Sequence, residues 1–199
     1  MENCVNRADL EVGATFNVAC GGGLIGNLTG TTGQMKNCAN YGDVHSGTFS
    51  TSQGNTYAAG IAALANASSV TFENCDNYGD MTATQQANLA GRYSIAAGIY
   101  GHLGNAAGTF TLKNCANHGT LLANAENGNR AGGIICNTFG TVILDGCVNS
   151  GRVEAAGGHA GAIFGNNSIS GELSESSSLT DCYHEMKATD ENSGWVLSD

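Results

Sequence analysis

The chain has 199 residues, enough for one domain or one run of repeats, with 41% hydrophobic residues, 30 glycines and no proline. Charged residues make up only 12% and the net charge is −10, with seven Lys and Arg. Without clustered cations, nucleic acid and anionic membrane surfaces are disfavoured as partners. No apolar run approaches the roughly 18 residues that cross a bilayer, and no basic stretch followed by an apolar segment opens the chain.

In chain order, one unit returns. Met1-Glu-Asn-Cys-Val-Asn6 aligns without gaps with Met35-Lys-Asn-Cys-Ala-Asn40, Phe72-Glu-Asn-Cys-Asp-Asn77, Leu112-Lys-Asn-Cys-Ala-Asn117, Leu144-Asp-Gly-Cys-Val-Asn149 and Leu179-Thr-Asp-Cys-Tyr-His184. Each of the middle copies runs on into a Gly-x-apolar stretch: Tyr41-Gly-Asp-Val44, Tyr78-Gly-Asp-Met81, His118-Gly-Thr-Leu121 and Ser150-Gly-Arg-Val153. A second block follows as Gly22-Gly-Leu-Ile-Gly26, Ala59-Gly-Ile-Ala-Ala63, Ala97-Gly-Ile-Tyr-Gly101, Gly132-Gly-Ile-Ile-Cys136 and Gly161-Ala-Ile-Phe-Gly165. Successive cysteines are 34, 37, 40, 32 and 35 residues apart.

Short β-branched and aromatic runs bounded by Gly and Asn read as strands. The expected fold is all-β: a right-handed parallel β-helix of about five coils (1–34, 35–71, 72–111, 112–143 and 144–178). Each coil should have three short strands, one ending at the Cys, one through Gly-Asp-Val and one through Ala-Gly-Ile. Residues 1–182 form one repeat domain, and 183–199, which contain Trp195, form a cap or tail.

Stacked parallel strands lie about 4.8 Å apart, so equivalent residues form columns. Ile61, Ile99, Ile134 and Ile163, with Leu24, make an inward apolar column, and their neighbours two residues away are small, which suits a narrow interior. Asn40, Asn77, Asn117 and Asn149 make an amide column at a turn, where Asn tolerates the left-handed region, and the Gly two residues later marks a second tight turn. Straight-strand alternation would put the residue three before the Cys on the opposite face. A bend near the Asn is therefore needed to bring both inward.

Eight cysteines first raise disulfide or zinc chemistry. Six of them, Cys4, Cys38, Cys75, Cys115, Cys147 and Cys182, hold one repeat position and no Cys-x-x-Cys pair exists. They read as a reduced inward column, because in-register neighbours point the same way and the disulfide torsion is then hard to reach. Cys136 reads as packing, and His118 as a member of an outward aromatic column with Tyr41 and Tyr78. Asp9, Asp43 and Asp80 stack; Asp43 and Asp80 are a calcium candidate, against the preferred reading of a solvated acidic edge. No cofactor is expected. The sequons at Asn27, Asn66 and Asn166 are what an Asn-rich chain produces by chance.

Gly23-Leu-Ile-Gly26 followed by Met35-Lys-Asn-Cys-Ala-Asn-Tyr-Gly-Asp-Val44 resembles the GLUG repeat of bacterial surface proteins; later copies drift, Gly60-Ile-Ala-Ala63 and Gly133-Ile-Ile-Cys136 losing the final Gly. Such repeats occur in adhesins and in non-catalytic parts of IgA-specific metallopeptidases. The resemblance implies an extracellular β-helix, a stalk or binding module at the bacterial cell surface, and it brings no catalytic residues.

An enzyme is not expected. No nucleophile elbow, His-Glu-x-x-His helix or phosphate loop is present. The alternative is a β-helical carbohydrate-active enzyme or the accessory region of a surface peptidase. Binding is expected where copies differ most, between the Gly-x-apolar stretch and the second block, at spans of 14, 17, 18, 13 and 10 residues. Tyr57, Gln85, Gln86, Arg92 and Tyr93 sit in or beside the two longest and suit stacking and hydrogen bonding to a glycan or a protein. Met1 already occupies the apolar repeat position, so the edge of the first coil is expected to be continued by preceding chain or covered by another molecule.

Overall fold

In a computed structural model, residues 1–14, 18–48, 54–85, 92–103, 108–125, 128–167 and 176–185 are described. The chain winds as a parallel β-solenoid whose coils add rungs to four sheets. Sheet I holds the two-residue strands Val5–Asn6, Ala39–Asn40, Asp76–Asn77, Ala116–Asn117, Val148–Asn149 and Tyr183–His184. Sheet II holds Leu10–Ala14, Val44–Thr48, Met81–Gln85, Leu121–Ala125 and Val153–Ala155, and sheet III holds Ala19–Gly22, Thr56–Ala59, Ser94–Ala97, Asn129–Gly132 and His159–Gly161. Sheet IV begins with the long strands Ile25–Lys36 and Ala62–Glu73; in later coils each is divided in two, as in Ile135–Thr138 and Thr141–Asp145.

A coil therefore has four strand segments, or five where the sheet IV segment is divided, rather than three. The second block is not a strand but a corner: Gly60 and Ile61 fall between Thr56–Ala59 and Ala62–Glu73. Ile61, Ile99, Ile134 and Ile163 point from this corner into the main core beside Phe72, Tyr100, Phe110 and Leu112. Each fully buried side chain of this size contributes on the order of 1.5–3 kcal/mol. Their small neighbours do not share that interior. Ala59, Ala63, Ala97 and Cys136 pack with Tyr57 and Ile95 in a separate cluster on the outside of the corner. A second interior, narrower and lined by Ala58, Ala83, Ala96, Ala123, Ala131 and Ala160, lies between sheets II and III.

The bend that the sequence requires before each cysteine falls at one residue. Asn3, Asn37, Asn74, Asn114 and Asp181 have φ of 50–54°, and Gly146 has φ 62° in the fifth copy. One left-handed residue turns the chain so that Met35 and Cys38, or Phe72 and Cys75, both enter the core. Asn, Asp and Gly are the residues that adopt this conformation at least cost. The expected left-handed turn at Asn40, Asn77, Asn117 and Asn149 is corrected accordingly: these are extended residues of sheet I.

Nor do Gly42, Gly79, Gly119 and Gly151 need a positive φ. Their reason is close approach. A methyl group at Gly79 would overlap the carbonyl oxygen of Gly42, one at Gly119 that of Gly79, and one at Gly151 that of Gly119. Register is also marked by charge. Glu2 bridges to Lys36, Lys36 pairs with Glu73, Glu73 with Lys113 and Lys113 with Asp145 along one partly exposed column, so every step joins opposite signs. Lys36 Nζ lies 3.2 Å from Glu73 Oε1. Exposed pairs add little stability, roughly 0.2–1 kcal/mol, but a slip of one coil would abolish the alternation.

Candidate binding surface

Equivalent residues of successive coils form side-chain columns, and their polar groups are used between coils. In the interior, Asn40 Nδ2 donates to Asn77 Oδ1, Asn77 to Asn117 and Asn117 to Asn149, each at 2.8 Å. The same amides donate to the carbonyls of Gly42, Gly79, Gly119 and Gly151 at 2.7–3.0 Å. All four are 0% exposed, so every hydrogen bond here replaces one to water and none can be dropped cheaply. The corner glycines press on this column: a methyl at Gly60, Gly98 or Gly133 would overlap Asn77, Asn117 or Asn149.

The left-handed asparagines form a second, exposed amide column, which the sequence reading missed. Asn37 donates to Asn3 at 3.3 Å, Asn74 to Asn37 at 3.0 Å and Asn114 to Asn74 at 3.5 Å. The signal was available as the Asn that precedes Cys4, Cys38, Cys75 and Cys115, with Gly146 and Asp181 in its place in the last two copies. Outside it run the rings: Tyr41 and Tyr78 stack at 4.7 Å, Tyr78 and His118 at 4.7 Å, and the Arg7 guanidinium lies 4.7 Å from the Tyr41 centroid. Tyr41 and Tyr78 are each 44% exposed.

The Asp column has a structural use. Asp9 Oδ1 accepts from Asp43 N at 3.0 Å, Asp43 Oδ1 from Asp80 N at 2.8 Å and Asp80 Oδ1 from Thr120 N at 2.7 Å. Among the described residues, no three His, Cys, Asp or Glu converge as a metal-holding group. At the cysteine corner Cys38, Cys75, Cys115 and Cys147 are buried, Cys4 and Cys182 half-buried, and all are free thiols. Cys20 and Cys136 lie elsewhere, at the outer corner, where burial pushes their thiols up to about 11 and about 12.

Of the residues expected to bind, Tyr57 is only 3% exposed. Its ring stacks on His102 at 5.3 Å and its hydroxyl accepts from Asn55 Nδ2 at 2.8 Å. Gln85 is buried as well and donates to the Gly54 carbonyl at 3.2 Å. Both are packed inside rather than presented: Tyr57 lies where the outer faces of sheets III and IV meet, and Gln85 lies on the inner face of sheet II in line with Met81 and Ala83. Gln86 lies outside the described residues. Arg92 and Tyr93 are half-buried on the same flank.

That flank assembles a group which sequence reading named only in part. The Arg130 guanidinium lies 3.8 Å over the Tyr93 ring and donates to Asn137 Oδ1 at 3.0 Å. This fixes the Asn137 amide so that its Nδ2 donates to His102 Nδ1, 2.7 Å away. His102 is then neutral with its proton on Nε2. Burial, more than the nearby Arg130 charge, pushes its pKa down to about 4, against the opposing hydrogen bond to the Asn137 backbone carbonyl. The equivalence of Tyr57, Ile95 and Arg130 follows from pairing along sheet III, and that of Leu64, His102 and Asn137 from sheet IV. With one copy of each, no repeat pattern marks them in the sequence.

These features define an all-β parallel solenoid with coil-to-coil polar columns and one irregular flank. No family model matches the chain, and no curated protein matches it. A solved structure of similar fold is that of a candidate immunoglobulin A1 protease from Bacteroides ovatus, with a TM-score of 0.58 and 18% sequence identity, over 96% of this chain. The chain spans 62% of the length of that protein, and the likeness shows the fold.

Proposed function

We propose that this chain is a non-catalytic solenoid segment of an extracellular bacterial surface protein, with GLUG-type repeats, acting as a stalk that carries a glycan- or protein-binding flank. One observation carries the reading. The amides and carboxylates of the columns are spent on stacking: amides bond amides, and the Asp9, Asp43 and Asp80 carboxylates bond backbone N–H groups. The flank around Tyr93, Arg130 and Asn137 stands apart from that regularity, as binding sites on repeat scaffolds do. A fold shared with a candidate immunoglobulin A1 protease favours, as a second reading, the accessory region of a surface peptidase.

The test is a glycan array and a pull-down from host secretions with the wild-type chain and with Tyr93→Ala and Arg130→Ala. Binding that either substitution reduces at least tenfold supports the reading. No binding, or binding that neither substitution changes, overturns the placement of the site. Cleavage of immunoglobulin A1 or of a polysaccharide by the chain alone overturns the non-catalytic role.

A further inference from the structure

The cysteine corner offers a chemistry that its packing role leaves over. All six column thiols share one orientation, since each donates to the carbonyl two residues before it, at 3.2–3.7 Å: Cys4 to Glu2, Cys38 to Lys36, Cys75 to Glu73, Cys115 to Lys113, Cys147 to Asp145 and Cys182 to Thr180. Their sulfurs are therefore spaced by the rung repeat of parallel strands, about 4.8 Å.

This arrangement selects strongly among sulfur chemistries. A disulfide needs sulfurs about 2 Å apart with their Cβ atoms twisted by roughly 90°, which side chains pointing the same way do not reach. A tetrahedral zinc site needs four donors round a point, and among the described residues no three metal-ligating groups converge. With the zinc–thiolate length of about 2.3 Å as a guide, two collinear metal–sulfur bonds span about 4.6 Å, close to one rung. Collinear two-coordination by soft sulfur is the habit of thiophilic monovalent d10 ions, Cu(I) above all.

We propose that successive cysteines of the column, Cys75 with Cys115 foremost, form a digonal site for Cu(I) or its analogue Ag(I). One thiol releases its proton to solvent and binds as thiolate. The other keeps its proton and donates a sulfur lone pair. The ion is not oxidised or reduced, and the complex is neutral, as a dry interior requires. Each neutral complex takes one thiol and one thiolate, so at most one ion is taken for every two column cysteines.

The experiment titrates the reduced full chain with Ag(I) in the absence of oxygen, followed by native mass spectrometry, circular dichroism and X-ray absorption. Retention of the β signal, not more than one ion per two column cysteines, and a shell of two sulfurs are expected. Cys75→Ser with Cys115→Ser should weaken binding at least tenfold, while Cys20→Ser with Cys136→Ser should not. Absence of binding to the folded chain, binding only on unfolding, or unchanged binding in the Cys75/Cys115 variant overturns the proposal. Should that variant not fold, the wild-type absorption spectrum decides: three or more sulfurs, or nitrogen and oxygen donors, overturn it too.

Discussion

The two asparagine columns run through the same coils three residues apart and make the same amide-to-amide bond, yet they are held for different reasons. The inner one, Asn40, Asn77, Asn117 and Asn149, is fully buried and uniform at 2.8 Å. The outer one, Asn37, Asn74 and Asn114, is exposed, and its bonds spread from 3.0 to 3.5 Å. The inner column needs the amide, donor and acceptor together, because no water can replace a lost bond. The outer column needs a backbone conformation, and Gly146 and Asp181 satisfy it without an amide. Identical residues in a repeat are thus no guide to identical causes.

The sharpest way to break this comparison is at the contact that seals the inner column. Gly60→Ala would drive a methyl into the Gly98 carbonyl and Asn77, both on backbone that stacking fixes. A loss of at least about 5 kcal/mol is expected, seen as loss of cooperative thermal unfolding. Asn77→Ala comes next. It strands the Asn40 amide, the Asn117 oxygen and the Gly79 carbonyl in the interior, at roughly 4 kcal/mol by urea unfolding.

Neither amide column titrates, so acid sensitivity should arise on the flank. His102 in the folded chain takes its proton only near pH 4, against an ordinary value of 6.5. Between those values the unfolded chain binds a proton that the folded chain refuses. Stability should therefore fall as pH drops from about 6.5 to about 4, by about 3 kcal/mol, and level off below. His102→Gln should flatten that stretch of the stability profile; an unchanged profile would place the titrating group elsewhere. The smallest effects belong to the outer column. Asn74→Ala should lose about 1–2 kcal/mol for holding an L-residue left-handed, and Asn74→Gly only a few tenths, both by urea unfolding.

Much of the fold was legible because stacking repeats the sequence. The columns of Ile61, Cys75 and Asn77 follow from alignment alone, since parallel in-register coils bring equal positions together. Two things were not legible. The number of strand segments was not, because Gly60 and Ile61 look like strand residues, and only the collision of any Cβ at Gly60 with the next coil reveals a corner. The depth of the flank was not either. Tyr57 and Gln85 read as loop residues fit for a ligand, but the meeting of two outer sheet faces covers Tyr57, and Gln85 falls on the inner face of a sheet II strand beside Met81 and Ala83. Arg130, Asn137 and His102 converge across neighbouring coils, and a motif scan looks along the chain.

The account rests on the inner column requiring an amide and the outer column requiring only a conformation. The most direct measurement is urea unfolding at pH 7 of Asn77→Asp beside Asn74→Asp, changes of one atom type at nearly constant volume. Asp keeps left-handed tolerance, as Asp181 shows, but it cannot donate and brings a charge. Asn74→Asp should stay within about 0.5 kcal/mol of wild type, and Asn77→Asp should lose about 3 kcal/mol or more. Equal losses at the two positions, or a larger loss at Asn74, would contradict it.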